Sequence, residues 1–240
     1  MKTKNLFTIT FLTLIIIGFS TYVKSQNCNI YYSLANGNEY EMTNYDSNNN
    51  VNGKTINKIS NVISNTEGIM ATVKTTTKDI KDEVVANTGF SVKCIGDKMY
   101  IEMKNFIPLE SLVQMNNMSV KSDAKCLEFP ENLSVGATLN DASSTISLYS
   151  GSDLFTTIKI TITNRKVVSK ESITTTAGTF NCFKITQDFN METTTKGVTI
   201  PVSIKSAEYY AAGAGSVKTE SYNKDGKLMG YSLLTKITKL

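Results

Sequence analysis

The sequence predicts an all-β protein with one short helix: a large antiparallel sheet of about ten to eleven strands, curled into a half-barrel with a helical lid. Three observations carry this. Apolar and polar residues alternate with period two, turn residues recur at hairpin spacing, and helical periodicity is nearly absent. In "TTIKITIT", Ile158, Ile160 and Ile162 fall on one face, and Thr157, Lys159, Thr161 and Thr163 on the other. "KMYIEMK" repeats the pattern with Met99, Ile101 and Met103 opposite Tyr100, Glu102 and Lys104. "KLMGYSLLTKI" places Met229, Tyr231, Leu233 and Ile237 together. Strands with one apolar and one wet face belong to antiparallel sheets. So large a sheet, apolar on one side, must curl over that side or close upon itself.

Residues 1–25 read as a cleaved signal peptide, and residues 26–240 as a single β half-barrel domain. Lys2 and Lys4 precede an apolar run from Leu6 to Phe19, and Val23 and Ser25 occupy the small-residue positions before a cut. That run is short of the roughly 20 residues a spanning helix needs. Cys28 lies near the cut, but Ser25 and Asn27 stand where a lipoprotein signal wants leucine and a small residue, so lipidation is not expected. Cleavage removes Lys2, Lys4 and Lys24 and no acid, so the 25 basic residues fall by three to 22 against 21 acidic ones. A near-neutral surface with a single arginine, Arg165, argues against a nucleic-acid partner.

Turn signals follow in order: "DSNNNVNGK" after Tyr45, "NTEG" at 65–68, "NTG" at 87–89, "IGD" at 95–97, "SGSD" at 150–153, "AGT" at 177–179 and "NKDG" at 223–226. "PLESLVQMNNM", 108–118, is the one helical stretch, with Pro108 suited to a first turn. It is the natural cover for an open sheet. Cys28, Cys94, Cys126 and Cys182 are disulfide candidates in an exported chain, with three full pairings open, and one bridge plus two buried thiols is the alternative.

The chain contains no histidine, which excludes Ser-His-Asp and Cys-His nucleophile systems and any His-ligated metal. Tryptophan is absent too, and the closest acid pairs, Glu39/Glu41 and Asp79/Asp82/Glu83, read as solvated strand or turn positions. No catalytic residue, metal or cofactor is expected. "AAGAGS" at 211–216 lacks the Lys-Ser/Thr of a phosphate loop, and the runs beyond it flank an Asn-Lys-Asp-Gly turn. Gly213 and Gly215 then mark a bend. A similar order, "TNYDSNNNVNGKTINKI", near the other end suggests two edge hairpins of one sheet.

"ITITNRKV" followed by "TTTAGTFNCFKIT", and then "EYYAAGAGSVKTESYNKDGKLMGYSLLT", resembles the TapB-like family of exported bacterial proteins of unknown function. The likeness extends to "VKCIGDKMYIEM" and "LEFPENLSVGATL". The family is similar to lipoprotein-carrier half-barrels, which implies a sheet around an apolar cavity under a helical lid. It also implies a Cys28–Cys94 bridge, and it supplies no catalytic or binding residues.

The expected function is an exported, soluble, non-enzymatic protein of the periplasm or extracellular space, holding a lipid-like ligand. Met99, Ile101, Met103, Ile158, Ile160, Ile162, Met229, Tyr231 and Leu233 are the candidate lining, because thioethers adapt to irregular apolar shapes. The other expectation is a cell-envelope or secretion accessory protein that recruits a protein partner through an edge strand. No membrane span is expected after signal cleavage. Intact-mass measurement of the exported protein should show a chain beginning at Gln26, and a chain retaining residues 6–19 would overturn the signal-peptide reading.

Overall fold

The computed structural model describes residues 32–103 and 118–240. Thirteen antiparallel strands form one sheet: β1 (Glu39–Asp46), β2 (Val51–Asn65), β3 (Gly68–Lys78), β4 (Val84–Ile95), β5 (Lys98–Ile101), β6 (Met118–Lys125), β7 (Leu127–Pro130), β8 (Ala142–Ser150), β9 (Asp153–Thr175), β10 (Gly178–Thr195), β11 (Val198–Ala211), β12 (Gly215–Tyr222) and β13 (Leu228–Thr238). The spatial order is β6-β8-β9-β10-β11-β12-β13-β1-β2-β3-β4-β5-β7. The two edge strands are therefore consecutive in the chain, separated only by Cys126. One stretch, 118–130, pairs with β8 through Met118↔Ser150 to Lys125↔Ser143, then changes sides and pairs with β5 through Ile101↔Leu127 to Lys98↔Pro130. The sheet is nearly closed, like a barrel.

Thirteen strands replace the expected ten or eleven. Two turns carried weak signals. "DIKDE" at 79–83 reverses the chain through Asp79, whose Oδ1 accepts from the backbone N–H groups of Lys81 and Glu83. Lys196 and Gly197 both hold positive φ, 50° and 82°, which makes them a tight hairpin turn without an Asx-Gly or Pro signal. The converse also occurs. "NTG" at 87–89 is strand, and Gly89 is there because a Cβ would lie 2.7 Å from the Val73 carbonyl oxygen. "AAGAGS" is the turn between β11 and β12, and a Cβ on Gly215 would meet the Tyr32 ring at 2.2 Å.

The two similar hairpins are not edges. β1 pairs with β13 in the middle of the sheet order, so the chain's two ends are stitched side by side. The proposed helix, 108–118, falls outside the described residues except for Met118, which opens β6. Residues 1–31 also lie outside them, and with them the signal peptide and Cys28. Cys126 and Cys182 carry free thiols, so these two candidates are not bridged. The Cys28–Cys94 link stays a proposal.

The interior holds one continuous cluster that includes Tyr40, Met42, Ile59, Val73, Val92, Met99, Phe129, Ile160, Ile185 and Leu234. At the far end of the β9–β10 hairpin the chain reaches past β11 and β12, where the Thr176 hydroxyl donates to the Thr235 carbonyl at 2.8 Å. Face assignment in β13 depends on a β-bulge. Met42 pairs with Leu234 but Glu41 pairs with Lys236, so one extra residue shifts the phase and brings Leu234 and Ile237 both inside. Leu234→Ala, at a fully buried position, should cost about 2–5 kcal/mol in urea unfolding. Met229→Ala, at a position 48% exposed, should cost about 0.5 kcal/mol or less. Equal losses would contradict this assignment of inside and outside.

Candidate functional site

Three straight cross-strand rows on the inner face form an apolar wall. Ile158 pairs with Thr193 and Thr193 with Ile200; Ile160 with Met191 and Met191 with Val202; Ile162 with Phe189 and Phe189 with Ile204. Exposure rises along each row. Ile158, Ile160 and Ile162 are buried, Phe189, Met191 and Ile204 are half-buried, and Ile200 is 63% exposed. β12 joins β11 only from Lys205 onward, so among the described residues nothing pairs with the free edge of residues 198–204. The wall therefore opens outward at β10 and β11. Pro201, in the middle of that edge, has no N–H to offer a further strand.

The other half of the wall, from β13 to β3, is lined at the same face by small polar groups. The Ser232 hydroxyl donates to Asn44 Oδ1 at 2.8 Å, Asn44 Nδ2 donates to Thr55 Oγ1 at 3.1 Å, and the Thr75 hydroxyl donates to Asn57 Oδ1 at 2.7 Å. These side chains are half-buried and bonded to one another, so this surface tolerates water while the apolar wall does not.

The three rows are stacked along the strands above a polar floor, which the Ile162–Phe189–Ile204 row adjoins. Below Ile162 on β9 comes Arg165, below Phe189 on β10 comes Gln187, and below Ile204 on β11 come Ser206 and Glu208. Arg165, the chain's single arginine, is 0% exposed. Its Nε donates to Gln187 Oε1 at 3.3 Å, and its Nη1 donates to the carbonyls of Glu128 at 3.0 Å and Asn140 at 2.7 Å. The guanidinium lies 4.9 Å from the centre of the Phe129 ring. Gln187 Nε2 passes the connection on to Glu208 Oε1 at 2.9 Å, and the Tyr210 hydroxyl donates to Glu208 Oε2. Among the described residues Arg165 Nη2 has no partner, and neither has the buried Ser144 hydroxyl on the same inner face of β8.

Loss of water holds the Glu208 carboxyl above its ordinary range, against the opposing pull of the Tyr210 hydrogen bond and the Arg165 charge. Burial also raises the Tyr210 phenol well above its usual value, with the Glu208 charge adding to it, and lowers the Arg165 guanidinium, which remains a cation. Glu208 keeps some accessible surface as a residue, yet its carboxyl is the desolvated part.

The predicted lining divides three ways. Ile158, Ile160 and Ile162 form the buried margin of the wall. Met99, Ile101 and Met103 are also buried, at 1%, 5% and 0% exposure, but they pack as core beside β7. Met229, Tyr231 and Leu233 are a correction, because they lie on the outer face. Alternation alone does not say which face of a strand is inside, and in β13 it is the Ser232 and Leu234 face that turns inward. Tyr231 instead stacks on Tyr45, with centroids 4.8 Å apart, and Leu233 pairs with Lys218 beside the folded-back hairpin. Lys218 lies over the Tyr209 ring and pairs with Glu220 at 2.6 Å, and Glu220 also accepts from the Tyr209 and Tyr222 hydroxyls.

Sequence reading missed Phe189, Met191, Ile200, Val202 and Ile204. "DFNME" and "VTIPVSI" do alternate, but Pro201 and the Lys-Gly turn disguised the second run as a loop. Arg165 was noted only as a solitary cation.

The family model described as DUF3108-like matches residues 35–234. The chain belongs to the DUF3108-like family. That is the family shown, rather than the TapB-like family that the late blocks resemble. Two solved structures share the fold. A candidate lipoprotein of Parabacteroides distasonis ATCC 8503 superposes with a TM-score of 0.68 at 20% identity, over 89% of this chain and 100% of its own. A candidate exported protein with YmcC-like fold from Bacteroides fragilis NCTC 9343 gives 0.64 at 18% identity, over 87% of this chain and 99% of its own. No curated protein matches significantly. At these identities the likeness is one of fold. Among the described residues of this DUF3108-like chain, no helix is long and apolar enough to cross a membrane.

The carboxyl of Glu208 gives a pH test. A group whose folded pKa is raised above its unfolded value binds its proton better in the native state. Its stabilising effect is full below the ordinary carboxylate range and is lost as pH rises through the folded value. Glu208→Gln should remove that slope, so the stability difference between wild type and variant should move against wild type as pH is raised from the carboxylate range toward neutrality. Parallel urea-stability profiles would overturn the assignment.

Proposed function

We propose that this DUF3108-like protein is exported, non-enzymatic, and holds a hydrophobic, lipid-like ligand against the inner face of β9–β11. The observation that carries the reading is the set of three rows, two of which pass from buried Ile158 and Ile160 to exposed Ile200 and Val202, facing a polar half-wall. Water against such a surface is costly, at roughly 25 cal/mol per Å² of apolar area, and a flexible alkyl chain relieves that cost. Met191 and Phe189, half-buried at the centre, suit a ligand of variable shape.

An envelope setting is supported by the fold neighbours, described as a candidate lipoprotein and a candidate exported protein. The proposed cut before Gln26, with Cys28 unlipidated, rests on the residues of the leader. A non-enzymatic role rests on the lack of histidine and on the floor, where Glu208 is held by Tyr210 and Gln187 instead of facing a reacting group. A second reading, a protein partner that adds a strand, is favoured by the open edge of residues 198–204, and Pro201 weighs against it.

The test is mass spectrometry of organic extracts from protein purified after export without detergent. Wild type should release near-stoichiometric lipid, and a folded Met191→Glu variant should release much less. Wild-type protein that carries no lipid and takes up no N-phenyl-1-naphthylamine, an uncharged apolar probe, would overturn the reading.

A further inference from the structure

We propose that the polar floor is a headgroup site, at which Arg165 Nη2 binds the carboxylate of a single-chain amphiphile whose tail lies along the apolar rows. The proposal rests on the ligand-binding reading above and specifies the chemistry of what is bound. Buried polar atoms are normally satisfied, so a buried donor without an acceptor marks a place where a further group belongs. Arg165 Nη2 is such a donor, on a side chain with no exposure, while its Nε and Nη1 are fixed by Gln187 and by the carbonyls of Glu128 and Asn140.

Those bonds and the Phe129 ring hold the guanidinium plane in place and leave only the Nη2 donors uncommitted. The nearest carboxyl on the floor, that of Glu208, is reached through Gln187 and is itself occupied by Tyr210, so no direct ion pair between Arg165 and a carboxylate exists among the described residues. Glu208, Asp141 and Glu128 act on the cation through space without a direct bond to it, and a buried guanidinium with an uncommitted donor favours an anionic oxygen ligand.

Position selects which anion. The floor is the next layer along β9, β10 and β11 below the stack of three apolar rows. A small free anion would leave those rows uncovered, whereas an acid with an alkyl tail fills both. The second orphan, the Ser144 hydroxyl, faces the same interior on β8 beyond Ala142, the smallest side chain on that strand's inner face. Arg165 has no exposed surface, so entry requires the half-buried Phe189 and Met191 to give way.

The experiment displaces N-phenyl-1-naphthylamine from delipidated, exported protein with decanoic acid and with methyl decanoate, at about pH 7.5, where the acid is ionised. The acid should displace the probe at a concentration about tenfold or more below that of the ester. Arg165→Met should retain probe binding and lose the preference, and Arg165→Lys should keep part of it. If Arg165→Met does not fold, the acid and ester comparison on wild type decides alone. Equal displacement by both, with the probe bound, overturns the headgroup site and leaves the apolar wall standing. Failure of probe, acid and ester alike to bind overturns the ligand-binding reading and this one with it.

Discussion

The structure depends on one stretch of chain serving as both edges of the sheet. A sheet with a single apolar face has to hide that face and both of its unpaired margins. Here β6 bonds to β8, the chain passes Cys126, and β7 bonds to β5, so the two margins are tied by a single residue. Everything inside follows from that tie. It brings Phe129 on β7 over Arg165 on β9, and the Glu128 carbonyl into reach of the same guanidinium. Without the crossing, the cation would have neither its aromatic cover nor one of its acceptors.

The interior is unevenly filled because the strands are unequal. β9 and β10 run for 23 and 18 residues, while β5 and β7 have four each. Where long and short strands overlap, side chains from all around the wall meet and exclude water. Beyond that overlap, β10 and β11 stand with fewer neighbours, and their inner apolar residues are only partly covered. At the other end, surplus length in the β9–β10 hairpin folds back to β13 and shelters Cys182 and Tyr209, both buried although they lie on the outer face. Unequal strand length thus accounts for the open apolar wall and for the outer cluster around Glu220.

Between filled and open regions lies the row Arg165, Gln187, Glu208, Tyr210. Burying such a set is unfavourable unless each member is bonded, and all but one donor group is. The cost is met by geometry that only this closure supplies. The floor therefore sets a polar layer between the filled and the open parts of the interior.

By itself the sequence determined the secondary structure over most of its length, because alternation and turn chemistry are local: Ile158, Ile160 and Ile162 had to share a face, and turns such as Asn223–Gly226 had to reverse the chain. The blocks at 160–186 and 208–235 resembled a TapB-like family, whereas the family shown is the DUF3108-like one. Which face turned inward was not determined locally, because period two is symmetric and a single bulge at Leu234–Lys236 reverses the phase. That is why Met229, Tyr231 and Leu233 were placed inside when they lie outside. Closure and the floor were decided by tertiary structure alone, since they join residues such as Glu128, Arg165, Gln187 and Glu208 through pairings between strands far apart in the chain. Nothing local around a lone arginine in an alternating run distinguishes a solvated surface cation from one sealed in the middle of a barrel.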